Sequence, residues 1–338
     1  MIFLKAPYHY YMKERKENDC IITSYAPVVI PTLNRYEHFK RCLESLERCT
    51  GAEHTDVYVG LDYPPSEKYI DGWKKIDAFL VEKEKSNGFK NLLVRRRTQN
   101  CGVCKKGSNM QLLIKEIKEK VDRYISSEDD NEFSPNFLEY MNLMLEKYKD
   151  DEQIFTICGY LFPNIVISVN NTCFLSPFSN AWGCGRWFHK RMKFEIHGKQ
   201  KYLESVLFSW KKSFELFRKR AASLNGFITM YFKKEYYGDI IRTADMLLED
   251  EYSVFPSVSK VRNWGVDGSG QHSGKNNSYS QQIIDLKADF IIVDESLPVV
   301  EIASKLDYNI IGKFLTLLRY TVFRLFHLDI LNKRRRNA

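Results

Sequence analysis

Apolar and polar positions alternate in two rhythms along the first half of the chain. Short apolar runs at residues 27–31, 57–61, 91–94 and 154–159, and the β-branched and aromatic run 121–125, have the length of buried strands. Between them, apolar residues recur every three or four positions. Phe39, Cys42, Leu43 and Leu46 do so across 36–48, and Met110, Leu113, Ile114 and Ile117 across 107–120. Leu138, Met141, Leu145 and Tyr148 do so across 135–149, and a further helix is expected over 69–85. Strand and helix alternate four times, which predicts an α/β fold with a parallel sheet and crossover helices.

The second half is less regular. Helices are expected at 202–220 and 239–249, and a strand at 254–256. Residues 180–187 are rich in Trp and Gly, a pairing that suits either a packed aromatic turn or a flat face for sugar C–H groups. The polar, Gly-rich segment 263–274 reads as a binding loop or lid. A last helix is expected over 309–338, with Phe314, Leu318, Val322, Leu325 and Phe326 on one face. Lys313, Arg319 and Arg324 interrupt it, so it is not a spanning segment, and it runs into Lys333-Arg334-Arg335-Arg336. A basic amphipathic end of this kind suits an anionic membrane surface, or a helix docked on the domain with a basic tail. Residues 1–25 read as an irregular lead-in.

Composition narrows the field only a little. The chain has 338 residues, 44% hydrophobic and 28% charged, as a soluble globular protein of one large or two smaller domains would. The formal charge of +8 favours anionic ligands. No recognition helix, zinc-finger spacing or aromatic RNA-binding motif accompanies it, so a nucleic-acid partner is not expected. The eight cysteines are scattered, several in apolar runs, which fits reduced thiols in a cytoplasmic protein. Lys5, Lys13, Arg15 and Lys16 break up any signal-peptide pattern at the N-terminus. Cys101 and Cys104 form a lone CxxC without a second pair, too little for a zinc site.

The chemistry concentrates at Glu128-Asp129-Asp130. These carboxylates follow the 121–125 run and precede Ser134-Pro135, a pair suited to the cap and first turn of a helix. Ligands of open α/β sheets bind at the carboxyl ends of strands. Three adjacent carboxylates repel unless a cation compensates them, and hard oxygen donors suit Mn²⁺ or Mg²⁺ better than zinc. A solvated acidic turn before a helix N-terminus would explain the triplet if it stood alone.

The triplet does not stand alone. Glu128-Asp129-Asp130-Asn131-Glu132-Phe133-Ser134-Pro135 and the helix after it resemble the acidic motif of nucleotide-sugar glycosyltransferases of the GT-A fold. The likeness is to the inverting family that contains N-acetylglucosaminyltransferase I and to related bacterial enzymes of surface-polysaccharide assembly. Val28-Val29-Ile30-Pro31-Thr32-Leu33-Asn34-Arg35 is a second match, and Pro256 to Gly265 followed by Asp267-Gly268-Ser269-Gly270 a third. The resemblance covers about residues 27–274. It implies a GT-A, Rossmann-like, mostly parallel sheet flanked by helices, with a helical C-terminal extension. It also implies a donor-binding half at 1–160, an acceptor-binding half at 161–282 and an extension at 283–338.

The implied activity is metal-dependent, inverting hexosyl transfer from a UDP-sugar to a glycan or lipid-linked glycan, in the cytoplasm or peripherally on the inner membrane face. Arg35 would contact the nucleotide and Asp62 the uridine. Glu128 and Asp129 would face the sugar and ribose, and Asp130 would ligate the metal. Lys105, Lys106 and Asn109 would assist the phosphates from a helix start. Ser269 and His272 would close over the diphosphate, with His272 a further candidate metal ligand. The general base matches Asp239, with Asp245 and Asp250 as rivals. The chain has Gly238 where relatives carry Trp before that Asp, and Cys184 where they carry a second Trp. A sugar-phosphate nucleotidyltransferase would need a Gly-rich loop after the first strand, and Thr32-Leu33-Asn34-Arg35 has no glycine. A non-catalytic glycan-binding scaffold would be expected to have lost the triplet, which is intact.

Overall fold

The computed structural model describes residues 22–102, 107–165, 172–269, 284–286 and 297–330. The first half forms β1 (Val28–Thr32), α1 (Tyr36–Glu47), β2 (Asp56–Leu61), α2 (Ile70–Lys85), β3 (Asn91–Arg96), α3 (Asn109–Ile117) and β4 (Arg123–Ser126). Then come β5 (Asn131–Phe133), α4 (Phe137–Lys147), β6 (Ile154–Cys158), β7 (Cys173–Ser176) and β8 (Cys184–Trp187). Helices α5 (Lys193–His197), α6 (Lys199–Leu207), α7 (Trp210–Lys233) and α8 (Gly238–Glu249) follow. The chain closes through β9 (Tyr252–Pro256), β10 (Val261–Asn263), α9 (Ile302–Lys305) and α10 (Ile310–Phe326).

The expected α/β class is what the structure has. Eight strands form a sheet in the order β3-β2-β1-β4-β8-β6-β9-β7. β1 pairs in parallel with β2 and β4, and β2 with β3, while β8 runs antiparallel to both β4 and β6. Val28, Val29 and Ile30 are fully buried in β1, as a strand covered on both faces requires. Phe39, Cys42, Leu43 and Leu46 form the buried stripe of α1, each burial stabilising the fold by ~1.5–3 kcal/mol for the larger side chains. α3 sets Leu113 and Ile117 against Val29, Tyr58 and Tyr124. Its first residue reaches β2 because Gly60 has no side chain: a Cβ there would lie 2.4 Å from Asn109 Oδ1.

Several elements differ from the sequence expectation, and the last helix, expected over 309–338, is α10, which ends at Phe326 with His327 at φ 52°. The helix after the acidic triplet starts at Phe137, not Pro135, because the Ser134 hydroxyl donates to Asn136 Oδ1 (2.9 Å) rather than capping. β5 and β10, three residues each, pair antiparallel in a separate small sheet that no periodicity announces. The single helix expected at 202–220 is two, α6 and α7, divided where the Ser209 hydroxyl accepts Lys212 N–H (3.3 Å).

The chain forms two compact units that interleave along the sequence. The first holds residues 1–175, 180–190 and 254–299, and the second holds 176–179, 191–253 and 300–338. Described residues of the second unit are almost wholly helical, with Leu203, Leu216, Leu224, Phe227, Ile241 and Phe323 fully buried.

Candidate active site

The chain leaves β1 on one side, through β2 and β3, and returns to β4 on the other. The carboxyl ends of β1 and β4 therefore form a topological switch point, where open α/β sheets leave a crevice. Parallel register brings the two ends together, with Ser127 N–H on Val29 O (3.0 Å) and Asp62 N–H on Thr32 O (2.9 Å). Arg35 follows β1, and Glu128, Asp129 and Asp130 follow β4.

Arg35 bridges two of the carboxylates. One guanidinium nitrogen bonds Asp129, and Nη1 stands 2.8 Å from Asp130 Oδ2. Burial works against a charge on Arg35, but Asp129 and Asp130 outweigh it and hold the guanidinium above its ordinary value. The Thr32 hydroxyl donates to Asp129 Oδ2 (3.0 Å). Burial pushes the Asp129 carboxyl up, against the pull of Arg35. Burial, then repulsion from Asp130 and Asp129, pushes Glu128 up to about 8, although the Trp182 indole donates to its Oε2 (3.0 Å). The corner thus carries more negative charge than one arginine offsets.

Asp130 is held from the other side by residues far along the chain. The Asn263 amide donates to Asp130 Oδ1 (2.7 Å) and to Asn131 Oδ1 (3.0 Å), and Trp264 N–H donates to Asp130 O (2.8 Å). The pairing of β5 with β10 delivers them, since Asn263 stands opposite Asn131. Gly265 follows, and a Cβ there would lie 2.1 Å from Asp130 Oδ2. The bare backbone leaves that carboxylate oxygen its place. The Trp264 indole donates to Glu132 Oε2 (2.8 Å), and its ring is covered by Arg41 at 4.3 Å and Arg262 at 3.9 Å. Sequence reading missed the parts played by Thr32, Asn263 and Gly265. The run Asn263-Trp264-Gly265 was visible, but nothing local ties it to Asp130.

Other expected residues lie as follows. Asp62 is buried at the end of β2, where its carboxylate accepts the N–H groups of Tyr63 (2.9 Å), Cys101 (2.8 Å) and Gly102 (3.1 Å). It organises the loop after β3. Asn109 opens α3, but its amide donates to Gly60 O (2.6 Å) and accepts from Arg97 Nε (3.0 Å), which ties the helix to β2. Ser269 caps Asp267 through its N–H (2.8 Å) and hydroxyl (2.6 Å). His38 Nε2 lies 3.2 Å from the same Asp267 carboxylate. Lys105, Lys106 and His272 lie outside the described residues.

The base candidates belong to the second unit. Asp239 sits exposed in the first turn of α8. Asp245 is buried, pushed up to about 6 by that burial, and accepts the N–H of Phe194 (3.1 Å) at the start of α5. Asp250 ends α8 with φ 54° and lies 3.3 Å from Lys219. Its two rivals thus have structural employment that Asp239 does not share in kind.

Among the described residues, no group of three or more His, Cys, Asp or Glu side chains is arranged to hold a metal by itself. The oxygen donors of Asp130 nevertheless fit Mn²⁺ or Mg²⁺, which bind through one or two carboxylates and complete their shells with phosphate and water oxygens.

No family model matches the chain, and no curated protein does. Solved structures with a similar course include Staphylococcus aureus TarS, at TM-score 0.30 and 15% identity, covering 43% of this chain and 23% of that one. TarS residues 1–349 give TM-score 0.40 and 12% identity over 70% of this chain and 59% of that one. The mannosyltransferase PcManGT from Pyrobaculum calidifontis, solved with GDP-Man and Mn²⁺, gives 0.38 and 12% over 70% and 73%. The chain thus spans less than two thirds of either TarS chain. Likenesses this loose do not decide what the chain does.

Proposed function

We propose that this chain is a metal-dependent, inverting glycosyltransferase of the GT-A type. It would move a sugar from a UDP-sugar to a glycan or lipid-linked glycan in surface-polysaccharide assembly, working in the cytoplasm. The observation that carries the reading is the switch-point corner, where Arg35, Asp129 and Asp130 meet beneath Asn263 and Gly265. A corner with surplus negative charge, hard oxygen donors and one buried arginine suits a divalent cation together with a diphosphate.

On this reading Asp130 holds Mn²⁺ or Mg²⁺, with His272 a second candidate ligand. The metal, when bound, supplies positive charge to the departing nucleoside diphosphate. Asn263 and the Gly265 backbone keep the Asp130 carboxylate in place. Arg35 keeps Asp129 and Asp130 from repelling each other, and offers its charge to the diphosphate when the donor enters. Glu128, half-buried beside Trp182, and Asp129 face the sugar and ribose of the donor. Asp62 would support the uridine side through the loop it organises, and Lys105, Asn109 and Ser269 would assist the phosphates. Asp239 accepts the proton of the acceptor hydroxyl as the new glycosidic bond forms opposite the leaving group.

A panel of UDP-sugars incubated with the protein and Mn²⁺, without acceptor, tests this reading. Slow release of UDP from at least one member, abolished by a chelator, is the expected result. Absence of both hydrolysis and UDP binding across the panel would leave a scaffold as the better reading.

A further inference from the structure

α10 is built inside out. Its buried stripe is Thr316, Arg319, Tyr320 and Phe323, spaced three, four and seven apart as a packed helix face must be. The guanidinium of Arg319 is 3% exposed and bonds Asp329 (2.7 Å), Asn225 Oδ1 (2.6 Å) and Thr229 (3.0 Å). Beside Tyr320 and Phe323, most of its large apolar residues point outward. Ile310 is 84% exposed and Ile311, Phe314, Leu325 and Phe326 between 63% and 65%, with Leu315, Leu317, Leu318 and Leu328 also exposed. Exposed Trp210 and Phe214 of α7 extend the patch, Trp210 lying edge-on to Tyr320 with centroids 5.5 Å apart. Arg324 reaches over the Trp210 ring at 4.8 Å.

An apolar patch of this extent on one helix marks an interaction surface. Its occupant is constrained by charge. Residues 310–338 hold seven basic side chains and a single acidic one, Asp329, so this segment carries most of the formal charge of +8. A second copy of so basic a segment would bring like charge against it. No helix among the described residues is long and apolar enough to cross a membrane, so α10 cannot bury the patch by spanning. An apolar helix face in a segment whose sequence is strongly basic matches the boundary between acyl chains and anionic headgroups.

We infer that α10, with Trp210 and Phe214, is the face on which this protein lies against an anionic lipid bilayer. The bonds from Arg319 to Asn225 and Thr229 of α7 anchor the helix to its own unit, so the outward residues are free to enter the lipid. The inference stands independently of the sugar-transfer reading.

Co-sedimentation of the full chain with vesicles of equal parts phosphatidylcholine and phosphatidylglycerol, and with phosphatidylcholine alone, tests it. The expected result is partitioning onto the anionic vesicles, weakened by salt, and much less onto neutral ones. Because Phe314, Leu318, Leu325 and Phe326 are exposed, changing all of them to Ser should leave the fold intact by circular dichroism. It should lower the partition coefficient at least roughly tenfold. Equal partitioning of variant and wild type would overturn the inference, as would no binding at any anionic fraction. So would a wild-type dimer by light scattering that the same substitutions split into monomers.

Discussion

At the scale of the residue, the site depends on atoms that are missing as well as present. Gly265→Ala adds one methyl group that would lie 2.1 Å from Asp130 Oδ2, so carboxylate or loop must move. Overpacking of this kind costs about 1–3 kcal/mol. Calorimetry should show Mn²⁺-dependent UDP binding weakened at least about tenfold, with the melting temperature lowered as well. A second prediction concerns Glu251, a buried carboxyl of the other unit pushed up to about 8 by burial and by Asp245 and Glu249, against the weaker pull of Lys193. A carboxyl raised above its ordinary value of 4.5 favours the fold fully below that value, and the benefit fades as pH climbs through about 8. Glu251→Gln keeps the shape and removes the titration. Its melting temperature should therefore gain on the wild type as pH rises from 5 to 9, by a few degrees at the alkaline end. A constant difference across that range would contradict the assignment.

At the scale of the element, α7 shows how a helix break is held by a distant side chain. Arg220 leaves the helical region at φ −161° and ψ 98°, and a new first turn begins after it. Asp307 supplies that turn with its acceptors, taking Ala221 N–H (3.1 Å) and Ala222 N–H (2.9 Å), and Lys313 stands 3.1 Å from it. Asp307→Ala should cost ~1–2 kcal/mol in denaturant unfolding, the range for a lost cap, and Asp307→Asn distinctly less. The sequence shows why elements differ in legibility. β1, β2, β3 and the buried face of α1 carry a local signal, so their bounds agree with expectation to within a residue or two, while α3 falls two residues short of its expected start and three short of its expected end. The break at Arg220 depends on a carboxylate more than eighty positions away, and β5 and β10 are too short to have a period at all. The same limit hid half of the corner. Arg35 and the three carboxylates were readable because they stand at strand ends, whereas Asn263 reaches Asp130 across 133 positions.

At the scale of the whole molecule, the proposed reaction needs a general base as well as a donor corner. Asp239→Asn keeps the size of the side chain and removes its basicity. Transfer to a glycan acceptor should fall by about 10²–10⁴ in kcat, with UDP affinity unchanged. Full activity in that variant would move the role elsewhere. On the proposed reading, Asp130 grips a divalent ion that in turn grips a nucleoside diphosphate. Titration calorimetry of UDP against wild type and Asp130→Ala, with Mn²⁺ and again with excess chelator, addresses it directly. The expected result is binding to the wild type that needs the metal and that weakens at least roughly tenfold in the variant. UDP affinity that is the same in both proteins, or indifferent to the chelator, would contradict it.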